Sequence, residues 1–143
     1  MEFSIALQTE KTVQAMAEAN RRTARYGLTL TPEQMTALTE SRTRALVDTG
    51  RVEWGAGILP RLMEVFCDSL HLHQTDYAAA LESLQAIFYR WKNEAGDLTP
   101  DEDVLCVLRL AFDRAGGNTD YLEGFSLAET VRLLREEGNH GGN

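Results

Sequence analysis

The sequence predicts an all-α single domain: an irregular bundle of about six helices around a central apolar helix. Three observations carry this. Thr31-Pro32-Glu33 and Thr99-Pro100-Asp101 each read as an N-cap, a first helical residue and an acid matched to the helix dipole. Ser126-Leu127-Ala128-Glu129 fits a capping box, and Gly27, Gly50, Gly96, Gly116 and Gly138 fall where helices should stop. Between these marks apolar residues recur at helical spacing. The length, 143 residues, suits one domain over residues 1–137, followed by a polar tail over 138–143 that is expected to fray.

Residues 1–8 alternate apolar and polar, so Phe3, Ile5 and Leu7 point one way. This reads as an extended arm laid on the core, and as a candidate contact surface. From Thr9 to Tyr26 the pattern is helical but thin, with Val13, Met16, Ala17 and Ala24 as its stripe. The helix after Thr31 carries Met35, Leu38, Ala45 and Leu46 on one side, and Arg42 falls on that same side. Its long stem suits burial, with the charge kept wet or held by a carboxylate.

Gly50-Arg51-Val52-Glu53-Trp54-Gly55-Ala56-Gly57 has too many glycines for a stable helix. A helix then starts near Pro60, with Ile58, Leu59, Leu62, Met63, Phe66 and Leu70 on a broad apolar face that fades near His71. After Thr75 or Asp76 comes the clearest amphipathic helix, built on Tyr77, Leu81, Leu84, Phe88 and Trp91. The run from Val104 to Phe112 is apolar nearly all round, which predicts the central helix. Ser126 opens the last helix, with Leu127, Val131 and Leu134 facing inward.

The net charge of −8 argues against general nucleic-acid binding. The charge is uneven: residues 20–61 hold seven Arg against four acids, and the chain from Leu62 onward is strongly acidic. A helix-turn-helix reading fails because the connector around Gly50 is too long and the following helix carries few basic residues. No stretch approaches the ~20 apolar residues of a membrane helix, and Glu2 stands where a secretory leader would be basic. Cys67 and Cys106, inside apolar patterns, read as buried reduced thiols. These features predict a cytoplasmic protein.

Several phrases resemble a known family: Tyr26-Gly27-Leu28-Thr29-Leu30-Thr31, Gly50-Arg51-Val52-Glu53-Trp54-Gly55, Gly57-Ile58-Leu59, Phe66-Cys67-Asp68-Ser69, Phe88-Tyr89 and Lys92-Asn93-Glu94. The family is one of small uncharacterised bacterial proteins, a domain of unknown function. The resemblance spans roughly Thr9 to Arg135. It implies a bacterial source and a single domain, and it brings no activity, ligand or catalytic residue with it.

Candidate sites are few. Cys67 and His71 are four apart, hence on one helical face, and with His73, and Asp68 and Asp76 nearby, they are the residue types of a zinc site. The Gly50–Gly57 loop has the backbone freedom of a phosphate cradle without the sequence of one. Arg51, Glu53 and Trp54, with Lys92 and Glu94, are the candidate ligand-binding residues. No nucleophile, paired acid or catalytic constellation emerges, and no cofactor is implied. The function read from the sequence is therefore a non-enzymatic helical module that binds a protein partner or itself. The alternative is a small-ligand or metal-binding protein, an enzyme included, that uses the Gly50–Gly57 loop or Cys67, His71 and His73.

Overall fold

A computed structural model describes the backbone of residues 2–141 and the side chains of residues 9–137. Seven α-helices follow one another: α1 (Glu2–Thr23), α2 (Pro32–Thr49), α3 (Leu59–Phe66), α4 (Tyr77–Ala95), α5 (Asp101–Arg114), α6 (Thr119–Glu123) and α7 (Leu127–Gly141). Short 3-10 turns at Ala24–Tyr26 and Gln74–Asp76 lead out of α1 and into α4. No strand occurs among the described residues.

The expected extended arm is helical instead: α1 begins at Glu2. An eight-residue alternation is too short to outweigh the helix formers that follow it. The side chains of Phe3, Ile5 and Leu7 lie outside the described residues. The buried stripe of α1 is Thr12, Met16, Ala19 and Thr23, while Ala24 is exposed. Its small side chains let α1 pack against both α2 and α3. Thr23 Oγ1 donates to the Leu28 carbonyl at 2.8 Å, fixing the exit of the chain.

The caps are as expected at two of three places. Thr31 Oγ1 accepts from Gln34 N at 3.1 Å and Gln34 Oε1 accepts from Thr31 N at 2.9 Å, a reciprocal capping box. Ser126 and Glu129 repeat that exchange at the start of α7, with both bonds 3.1 Å. Thr99 does not cap α5: its hydroxyl donates back to the Ala95 carbonyl at 3.2 Å, and Pro100 occupies the N-cap. At the other end, α7 continues through Gly138 to Gly141.

The centre of the bundle is α4. It packs against α2, α3, α5, α6 and α7, and buries Tyr77, Leu81, Leu84, Ile87, Phe88, Tyr89 and Trp91. The expected centre, α5, touches four helices but keeps one face in solvent, where Cys106 and Leu110 are exposed. Hydrophobicity on all sides therefore did not mean burial on all sides. Nor is either cysteine buried, since Cys67 is half-buried and both thiols are free. α3 also stops sooner than its apolar face suggested, at Phe66, leaving Leu70 88% exposed.

Candidate functional site

The connector between α2 and α3 is the most distinctive surface of the molecule. Gly50, at φ 68°, ends α2 in the left-handed conformation that favours glycine. Residues 51–54 then run without regular secondary structure, and their exposure alternates: Arg51 and Glu53 are half-buried, Val52 and Trp54 exposed. The usual polarity is inverted. The polar residues turn inward and the apolar ones turn out.

Arg51 reaches the end of α4, donating to Asn93 Oδ1 at 2.7 Å and to Asp97 Oδ1 at 2.9 Å. Asn93 in turn donates to the Thr49 carbonyl at 2.7 Å. Glu53 turns into the bundle. Its Oε1 accepts from Arg42 Nε at 2.6 Å and from the Tyr89 hydroxyl at 2.5 Å. Arg42 is buried and spreads its other donors to Thr12 Oγ1 at 2.9 Å and to the carbonyls of Glu53 at 3.3 Å and Gly55 at 3.4 Å. One guanidinium thus ties α1, α2 and the connector together, and Tyr89 adds α4. Burial, reinforced by the Glu53 charge, pushes the Tyr89 hydroxyl well above its ordinary value, so it remains a donor. Gly57, at φ 79°, lies against this pair, and a Cβ there would overlap Glu53 Oε1 and come within 2.8 Å of Arg42 Nε.

On the outer side Val52 and Trp54 are 72% and 79% exposed, and Val47 on the last turns of α2 is 76% exposed. Trp54 does not plug the core. Val47 and Val52 also line a groove of about 340 Å³ whose other walls are largely polar, among them Thr39, Arg42, Thr43 and Arg51. A polar underside therefore presents an exposed apolar ridge of Val47, Val52 and Trp54.

The other candidate residues take structural posts. Lys92 is buried and holds the turn into α5, donating to the Thr99 carbonyl and pairing with Asp101 at 3.1 Å. Glu94 caps α7 from outside, accepting from Leu127 N at 3.1 Å and Ala128 N at 2.8 Å. Arg51, Glu53, Trp54, Lys92 and Glu94 therefore do not converge on one cavity. Nor do Cys67, His71 and His73. With α3 ending at Phe66, Cys67 and His71 share no helical face, and Cys67 Sγ donates to the Glu64 carbonyl at 3.2 Å. Burial raises the Cys67 thiol above its ordinary value, which disfavours the thiolate that a metal needs. Among the described residues no three His, Cys, Asp or Glu side chains come together as a metal site.

Sequence reading missed Thr12 as a partner of Arg42 and Tyr89 as a partner of Glu53. The one available signal was Arg42 itself, a charge placed on an apolar stripe.

Fold and surface define a class: a small all-α bundle with an exposed apolar ridge on the connector between α2 and α3. The family of unknown function DUF6323 matches residues 15–140, and the chain belongs to it. No curated protein and no solved structure matches it. No helix among the described residues is long and apolar enough to cross a membrane.

Proposed function

We propose that the protein is a helical interaction module that pairs with a second copy of itself through Val47, Val52, Trp54 and the adjoining groove. The observation that carries this reading is the inverted connector, with Arg51 and Glu53 anchored inside and Val52 and Trp54 held out in water. Exposed tryptophan on a fixed support is the residue type that dominates binding energy at protein interfaces, and a loop already ordered loses little entropy on association. The surface can meet its own copy, because the exposed Trp54 ring is two residues from Val52, which with Leu46 and Val47 forms the apolar part of a groove. Under a two-fold axis each copy would offer its ridge to the other's groove. Exposed Arg44 and Asp48 at the rim supply opposite charges for the same arrangement. The setting we assign is a bacterial cytoplasm, where Cys67 and Cys106 stay as free thiols.

Sedimentation over a wide concentration range tests the proposal, read together with tryptophan emission. Trp91 is fully buried and Trp54 is exposed, so association shifts only the Trp54 component to the blue. Trp54→Ala and Val52→Asp should abolish association while leaving the melting temperature nearly unchanged. A monomer at every concentration, with unshifted Trp54 emission, overturns the proposal.

A further inference from the structure

We propose that the cleft between the end of α1 and the facing surfaces of α3 and α5 binds a small phosphate-bearing metabolite. This site is distinct from the apolar ridge. The cleft measures about 680 Å³ and is lined by Arg21, Arg22, Arg25 and Arg109, with Tyr26 at its edge and Glu64 and Asp68 as its only carboxylates. With Asp113, which pairs with Arg109 from outside the lining, four guanidiniums meet three carboxylates, an excess positive charge of one on a chain whose net charge is −8. Such a concentration raises the local level of anions.

The four arginines are not equivalent. Arg22 pairs with Glu64. Arg109 is fixed by Asp68 at 2.6 Å, Asp113 at 2.8 Å and the Val65 carbonyl at 2.6 Å, and its guanidinium sits over the Phe66 ring. Arg21, on the last turn of α1, and Arg25, in the 3-10 turn that follows it, have no carboxylate partner among the described residues. Arg25 lies 4.9 Å over the Tyr26 ring and donates to its hydroxyl at 2.7 Å, which fixes the plane of the guanidinium. Planar, pre-oriented guanidiniums match phosphate oxygens two bonds at a time. Burial keeps the Cys67 thiol at the cleft neutral, so it adds no competing negative charge.

The helix dipole gives a simpler reason for cations in the last turn of α1, worth about 0.3–1 kcal/mol each. That reason does not reach Arg109, which crosses from α5. Nor does it account for an open cleft between the two groups, of the size that small-molecule sites occupy.

The test titrates the full chain with pyrophosphate and follows heat and melting temperature, using sodium chloride of equal ionic strength as the reference. The expected result is saturable binding that raises the melting temperature, weakened about tenfold or more in the Arg21→Gln, Arg25→Gln double variant, whose circular dichroism stays native. In a Cys106→Ser background, pyrophosphate should also slow alkylation of Cys67. Stabilisation matched by sodium chloride, or equal affinity in the double variant, overturns the proposal. Neither result depends on the oligomeric state.

Discussion

Arg42 and Glu53 form the most deeply buried ion pair among the described residues, 2.6 Å from Nε to Oε1 and bridging the body of α2 to the connector that leaves it. The pair takes the place of an apolar contact under the connector. It explains how a glycine-rich segment without secondary structure holds one conformation. A buried pair of this kind adds little net stability over an apolar substitute, but it is costly to break from one side.

Removing one partner should expose that asymmetry. Glu53→Ala leaves the Arg42 guanidinium buried without its carboxylate and should lower stability by about 3 kcal/mol in urea unfolding. Adding Arg42→Met should recover part of the loss, so the double variant is less destabilised than the sum of the single ones. Additive losses would mean that the pair does not couple the two elements.

Gly57→Ala and Gly55→Ala separate backbone strain from close packing. Both glycines have positive φ, 79° and 72°, but only Gly57 has neighbours within reach of a Cβ. Gly55→Ala should cost about 1 kcal/mol, the strain alone, and Gly57→Ala about 2–3 kcal/mol as Glu53 and Arg42 are pushed aside. Equal losses in denaturant melts would show that the close approach does not matter.

Alkaline titration should separate folded from unfolded tyrosine. Burial pushes the Tyr77 hydroxyl to about 12, and Tyr89 is raised as well. Both folded values lie above the ordinary value of 10.0, so the unfolded state loses these protons first. Stability is then fully present below pH 10 and falls as the pH climbs toward 12. Ultraviolet phenolate absorbance, differenced against Tyr77→Phe, should show Tyr77 ionising late and together with the loss of helical circular dichroism. Ionisation of Tyr77 near pH 10 in a still-folded chain would contradict its burial.

The two capping candidates should behave differently. Ser126→Ala removes an acceptor from Glu129 N and should cost about 1 kcal/mol, whereas Thr99→Ala removes only a bond back to Ala95 and should cost less than half of that. Glu94→Ala should destabilise α7 although it lies on α4, because its carboxylate satisfies Leu127 N and Ala128 N. Helix-resolved hydrogen exchange reads all three.

What the sequence determined by itself was local. The capping boxes at Thr31 and Ser126, the stop at Gly50 and the buried face of α4 all follow from residues within one or two turns of each other. The misreadings share a cause. Whether Val104 to Phe112 is central and whether Cys67 and Cys106 are buried depend on which elements pack nearby, and no short-range pattern carries that. The same holds for Arg42, whose place on an apolar stripe was visible, while its partners Thr12 and Glu53, and the Tyr89 hydroxyl that shares the Glu53 carboxylate, come from three separate segments. The arginine cleft is a further case, since Arg109 is far in sequence from Arg21 and Arg25 but lines the same space. Hydrogen bonds and periodicity within a helix are fixed by neighbours in the chain. Burial, charge pairing and the shape of a surface are fixed only when distant segments meet.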